Sequence, residues 1–263
     1  MNPTGPHSGT FRPNPRRPFA RCRRLLAVLA VLPLLLAGRA FALDPTRSIY
    51  QYNCQNWTRH NGLPANKINS ITQTRDGYLW LGTPIGLVRF SGLEFKAVPI
   101  DLPQAQGQEV RQLVTSGDGQ ILFAIMHGGF GRYDGKKFSP LGDERWAQPG
   151  MEAITLMEAR DGAIWTGADL GTGRWLKNNP AGSLFTATNT GIVLSLCQDP
   201  TGRIWLGTPE QGFYYWEEGK FTLLPDRFLA KQNVFAMAAG ADGRLWVGTS
   251  FGLSCYAHGR PVT

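Results

Sequence analysis

Asp76-Gly77-Tyr78-Leu79-Trp80-Leu81-Gly82-Thr83 returns four more times in altered form, from Asp118, Asp161, Thr201 and Asp242, at intervals of 42, 43, 40 and 41 residues. A fixed period near 42 means that one supersecondary unit is copied, each copy burying its apolar face against the next. In the first copy, residues 68–72 alternate as a short strand, Arg75-Asp76-Gly77 turns, and residues 78–83 form a second strand. Asp-Gly between alternating runs is a strong hairpin signal, because both turn positions tolerate positive φ. Gly86–Phe90 reads as a third strand and residues 94–98 as a fourth, after the Ser91-Gly92 turn. Four antiparallel strands per repeat make a propeller blade. The chain is therefore expected to be all-β, a β-propeller of four-stranded antiparallel blades with five repeats visible, at about 62–100, 101–143, 144–188, 189–226 and 227–263.

The second strands carry Trp80, Leu122, Trp165, Trp205 and Trp246, and the third strands Phe90, Tyr133, Trp175, Tyr215 and Tyr256. Large rings at fixed offsets are what packing between neighbouring sheets needs, so they are assigned to the core. Gly82, Gly167, Gly207 and Gly248 follow each Trp by two residues, where a missing Cβ permits close backbone approach.

The first 42 residues hold seven Arg and no Asp, Glu or Lys, around the apolar run 25–37. Thirteen apolar residues fall short of the roughly 20 that span a bilayer, and Ala40-Phe41-Ala42 fits a small-x-small cleavage pattern. Residues 1–42 are expected to be a secretory signal peptide, and Arg16-Arg17 gives it a faint twin-arginine look. Without it the chain has 20 Lys+Arg against 19 Asp+Glu, about +1, so charge offers no argument for nucleic acid as a partner. Cys54, Cys197 and Cys255 remain; an exported chain allows one disulfide, with Cys54 and Cys255 the favoured pair, and three buried thiols are the alternative. That pairing supposes that residues 47–58, which alternate like a strand, close the ring as the outer strand of the last blade, whose own repeat is read as stopping short of its fourth strand.

Asn61-Gly62-Leu63-Pro64, residues 73–83 and Gly86–Phe90 closely resemble the two-component regulator propeller family. The resemblance implies the exported sensor part of a bacterial hybrid histidine kinase or diguanylate cyclase, and five blades as part of a seven-bladed ring. It further implies that this chain is a fragment without the output domain, reaching a membrane only through a missing C-terminal region, with a receptor dimer as a compatible state; a free-standing five-bladed ring is the alternative.

In such a fold, ligands meet the loops between second and third strands and the loops between blades. Those loops offer Met126, His127, Trp146, Asp169, Glu210 and Phe251 as candidate ligand-binding residues. His60, His127 and His258 belong to different loop types, so no metal site or other cofactor is expected. Asp169 and Glu210 come from adjacent blades but read more simply as solvated loop carboxylates than as a glycosidase pair. The expected activity is non-catalytic sensing of a small-molecule or oligosaccharide ligand. A propeller lyase or glycosidase and a periplasmic protein-binding scaffold are the rivals.

Overall fold

The structure is a computed structural model that describes residues 48–51, 54–105, 107–142, 150–177, 184–186, 191–217, 219–225, 229, 231–257 and 260–262. The expected leader, Trp146 and His258 lie outside these residues. The chain divides into Met1–Gln55 and Asn56–Thr263. Among the described residues of the first unit, Ile49–Gln51 is a single 3-10 turn in which Ser48 and Gln51 satisfy each other: Gln51 donates its N–H to the Ser48 carbonyl (2.9 Å) and accepts the Ser48 N–H on Oε1 (3.0 Å). Over the described part of the strand expected at 47–58 no strand forms, because local bonding replaces sheet pairing at 49–51 and residues 54–58 join no sheet.

The second unit carries five four-stranded sheets. They comprise β1 (Ser70–Gln73), β2 (Leu79–Thr83), β3 (Gly86–Phe90) and β4 (Phe95–Val98); β5 (Val110–Thr115), β6 (Ile121–Ile125), β7 (Gly129–Tyr133) and β8 (Phe138–Pro140); β9 (Ala153–Glu158), β10 (Ile164–Ala168), β11 (Gly171–Trp175) and β12 (Leu184–Thr186); β13 (Ser195–Gln198), β14 (Ile204–Gly207), β15 (Phe213–Glu217) and β16 (Lys220–Leu223); β17 (Val234–Ala239), β18 (Arg244–Thr249), β19 (Gly252–Ala257) and β20 (Arg260–Pro261). Each sheet is an antiparallel meander in chain order, as a propeller blade requires. The fifth repeat does own a fourth strand: β20 pairs with Tyr256 and Ala257, and Val262 donates to the Cys255 carbonyl at 2.8 Å. With that edge filled from within, no leading strand is needed there, and Cys54, Cys197 and Cys255 are all free.

Neighbouring sheets share apolar clusters built on the repeated phrase. Trp80 and Leu87 of the first sheet meet Leu113, Ile121 and Phe123 of the second. Trp165 of the third sheet meets Trp216 and Phe221 of the fourth, and Trp205 meets Val234, Val247 and Tyr256 of the fifth. The second copy, which lacks the Trp, is a packing exchange: fully buried Leu122 faces a cluster that includes Trp175, so the bulk has moved across the interface. Polar ties link adjacent innermost strands. The Leu113 N–H donates to Ser70 Oγ (3.0 Å), the Leu156 N–H to Gln112 Oε1 (2.8 Å), and Ser195 Oγ to the Val234 carbonyl (3.0 Å). On the turn side, Lys177 bonds the Asp118 carboxylate at 2.5 Å. Partial burial alone would raise that carboxyl, but Lys177 and Ser116 outweigh it and hold the pKa at about 2.

One ring assignment needs correction. In β15 the residue opposite Ile204 is Trp216, whereas Tyr215 lies opposite Trp205 and so faces the other side. The loop Pro209-Glu210-Gln211 is one residue longer than Pro84-Ile85, and a one-residue slip reverses every side chain.

The first sheet's outer face is covered by a short segment of the same unit. Trp57 meets Phe90 (5.4 Å, 69°) and Phe95 (5.2 Å, 80°) edge-on. Trp165 meets the equivalent Trp216 and Phe221 in nearly the same way (5.3 Å, 68° and 6.2 Å, 81°). The opposite end differs: Trp246 is 39% and Leu253 69% exposed, along a groove of about 560 Å³ that Phe251, Cys255 and Val262 also line.

Candidate functional site

Seven residues before the start of each repeated phrase stand Asn69, Arg111, Ile154, Leu194 and Phe235. Their preceding neighbours are uniformly small or β-branched apolar residues, Ile68, Val110, Ala153, Val193 and Val234, and the last four are buried. In three sheets the register against the second strand jumps at this point. Val110 pairs with Ile125 and Gln112 with Ala124, which leaves Arg111 unpaired; Ile154 and Phe235 are left out in the same way. These are β-bulges, which insert an extra residue and re-aim its side chain. In the first and fourth sheets, Asn69 and Leu194 occupy the same place and donate their N–H groups to the Gly82 and Gly207 carbonyls at 2.8 Å.

All five residues line one cavity of about 300 Å³, walled by the innermost strand of every sheet. Its wall is mostly polar, with Ser70, Gln112, Thr155 and Ser195 lining it beside these five. The first two sheets contribute Asn69 and Arg111; the other three contribute Ile154, Leu194 and Phe235, the last 55% exposed. At the polar side, Glu109 accepts from Lys67 Nζ (3.0 Å) and Asn69 Nδ2 (2.9 Å), and Asn69 also donates to the Val110 carbonyl (2.9 Å). Arg111 Nη1 stands 3.4 Å from Glu152 Oε2. Among the described residues no cluster of three His, Cys, Asp or Glu is placed to hold a metal ion.

The candidates chosen from sequence sit at the loops joining second and third strands, on the same edge of the sheets where the innermost strands begin. Met126 donates its N–H to the Glu109 carbonyl at 2.8 Å. Asp169 accepts the Glu152 N–H on its carboxylate and donates its own N–H to the Glu152 carbonyl, both at 3.1 Å, so it positions the loop whose carboxylate faces Arg111. Phe251 is 82% exposed at its hairpin tip. His127 and Glu210 are exposed and share φ of 58°, the two non-glycine residues with positive φ among those described. Among the described residues, no hydrogen bond or ion pair joins any of these five to another.

The left-handed turn explains His127 and Glu210 without a ligand. Each lies in a hairpin one residue longer than that of the first sheet, and an L-residue there carries a steric cost of roughly 1–2 kcal/mol. His127→Gly is expected to raise stability by about 0.5–1 kcal/mol in urea unfolding, after the entropy cost of glycine is subtracted. A loss of stability would show that the imidazole makes a bond worth more than the turn strain.

Sequence reasoning passed over the cavity residues because it treated the start of each strand as scaffold. The available signal was a position at constant offset whose chemistry differs in every copy while its apolar predecessor does not.

The model of a family described as two component regulator propeller matches residues 62–84, 187–210 and 229–251. No curated protein matches the chain in sequence. Among solved structures, it is similar to the extracellular domain of a hybrid two component system from B. thetaiotaomicron, with a TM-score of 0.63, 20% identity, and coverage of 77% of this chain and 28% of that one. It is also similar to virginiamycin B lyase from Staphylococcus aureus (TM-score 0.58, 18% identity, 76% and 70% covered). PorZ, a bacterial surface component of the type-IX secretion system of Porphyromonas gingivalis, gives a TM-score of 0.58 at 14% identity, with 75% and 33% covered. The chain thus spans less than a third of that extracellular domain's length, and likeness at these identities speaks for the fold. The three matched segments resemble two-component regulator propeller repeats, and the five meander sheets share the fold of the solved neighbours.

Proposed function

We propose that the chain is a non-catalytic, exported ligand-sensing module of a signal-transducing receptor, and that its ligand enters the cavity bounded by the five innermost strands. The observation that carries this reading is the ring formed by Asn69, Arg111, Ile154, Leu194 and Phe235. Five unlike side chains displayed by equivalent positions of a repeated scaffold form a recognition surface, and side chains rather than fold carry function. The family match and the likeness to the extracellular domain of a two component system from B. thetaiotaomicron support the receptor setting. No helix among the described residues is long and apolar enough to cross a membrane.

A ligand signals only if two arrangements of blades or of receptor subunits bind it unequally, since equal affinity shifts no equilibrium. Binding to the folded state alone should stabilise the chain by about 2.7 kcal/mol at a hundredfold excess over Kd. A thermal-shift panel of sugars, oligosaccharides, peptides and small organic acids is expected to yield at least one compound with a saturable shift. A folded chain indifferent to every class would sink the proposal. Catalysis, as in the S. aureus lyase, is the competing reading on grounds of coverage. Turnover of a panel compound that vanishes in His127→Ala while binding persists would favour it.

A further inference from the structure

We propose that the end faces of the five-sheet array are complementary halves of one joint, and that the fifth sheet of one chain docks head-to-tail on the first sheet of a second copy. This contact is independent of the ligand-binding reading above and stands on the packing between sheets.

The internal joints share one construction. A Cβ on Gly82, Gly167 or Gly207 would meet Val110, Val193 or Val234, the β-branched residue at or just before the start of the next innermost strand. Between the second and third sheets, Ala124 and Ala153 take these two places. Three residues further along each innermost strand, Leu113, Leu156, Leu196 and Met237 pack into the same clusters, and Leu113 and Leu156 are almost wholly buried. A glycine notch that receives a β-branched side chain is thus the recurring element of the array.

Consecutive joints leave one unused half at each end of the array. At Gly248 the nearest atoms within 4 Å belong to Ala236 of its own sheet, so the notch has no visitor. Beside it Trp246 is 39% and Leu253 69% exposed. On the first sheet, Ile68 holds the place of Val110 yet is only partly buried, and Ile71, at the place of Leu113, is 60% exposed. A notch without a β-branched residue stands at one end, and a β-branched residue without a notch at the other. Were the chain to join its own ends, Ile71 and Leu253 would be covered; their exposure leaves both halves for a second copy. Contiguous apolar surface of this kind marks an interaction site.

Trp57 sets the strength of the contact. Between the third and fourth sheets Trp165 stands edge-on to Trp216 and Phe221, and at the first sheet Trp57 holds that place on Phe90 and Phe95. Docking therefore exchanges Trp57 for Trp246 in an equivalent contact, and the net gain comes from covering Ile68, Ile71 and Leu253. With one contact exchanged rather than added, the association is weak and reversible, with a Kd on the order of 10 µM. Unlike surfaces that meet in this way close into a ring or grow into longer assemblies, according to the rotation at the contact.

Sedimentation velocity of the whole chain provides the test. The weight-average mass is expected to rise at least about 1.5-fold between about 1 and 200 µM. Gly248→Val, which fills the notch against ordinary contacts of its own sheet, should leave a monomer, and so should Ile71→Lys on the first sheet. An equimolar mixture of the two variants should associate again, because each keeps the face that the other has lost. Leu93→Ser, at an exposed turn between β3 and β4, should associate like the parent chain. Circular dichroism and the thermal midpoint establish that each variant is folded; Leu253→Glu and Ile71→Ser serve where Gly248→Val or Ile71→Lys is not. The proposal is overturned if the parent chain stays monomeric to about 200 µM, if association survives either folded substitution, or if the mixture remains monomeric.

Discussion

Gly207→Val is expected to destabilise the chain by about 3 kcal/mol or more, while the same change at Gly248 costs under about 0.5 kcal/mol. A Cβ at 207 would lie 2.3 Å from Ser195 Oγ, 2.6 Å from Val234 Cγ1 and 2.7 Å from the Val234 carbonyl oxygen. The carbonyl belongs to the strand of the next sheet that receives the Ser195 hydrogen bond, so relief requires the two sheets to part. At 248 the nearest atoms are the Ala236 carbonyl oxygen and Cβ, at 3.7 and 3.8 Å, which is ordinary contact. Urea unfolding of the two variants under identical conditions checks the difference. Equal costs would mean that glycine serves strand conformation at these sites and that the notch for the neighbouring sheet is incidental.

Trp165→Ala should cost about 3–5 kcal/mol, the range for removing a fully packed Trp. Trp165 is 3% exposed and sits edge-on to Trp216 and Phe221 across the interface between the third and fourth sheets. Trp246→Ala, at the equivalent place in the fifth sheet, should cost less, about 1–2 kcal/mol, because that residue already keeps 39% of its surface in water. Thermal midpoints and Trp fluorescence read both. A large loss at Trp246 would show that its face is covered in solution, and the dependence of the loss on protein concentration would reveal whether a second chain covers it.

These two comparisons define what was legible in the sequence. The repeated phrase yielded the architecture because its Asp-Gly turn, Trp and Gly answer to local rules: turn geometry, ring packing and close approach. Gly82, Gly167 and Gly207 do meet the neighbouring sheet, as expected, whereas Gly248 has the same sequence context without that neighbour. Tyr215 was misplaced because a single extra loop residue reverses facing, and aromatic residues at three consecutive positions, Tyr214, Tyr215 and Trp216, disguise the slip. The segment 47–58 alternates convincingly, yet alternation does not say whether a partner strand is within reach.

The candidate site was legible only in part. The loops nominated from sequence lie on the correct edge of the sheets, and Asp169 reaches the cavity indirectly through Glu152. The cavity ring itself was hidden because a β-bulge is a disagreement of register between two strands. It exists in pairing, which a linear reading does not contain.

The bulges carry one more consequence. An unpaired residue owes nothing to the strand ladder, and at the three bulges the fully buried apolar predecessor, Val110, Ala153 or Val234, rather than the displayed side chain, fills the joint between sheets. Cavity chemistry and mechanical integrity are thereby assigned to different letters of the repeat. A lineage, or a combinatorial library, can rewrite Arg111, Ile154 and Phe235 together and explore new ligands on a framework whose strand ladder does not register the change.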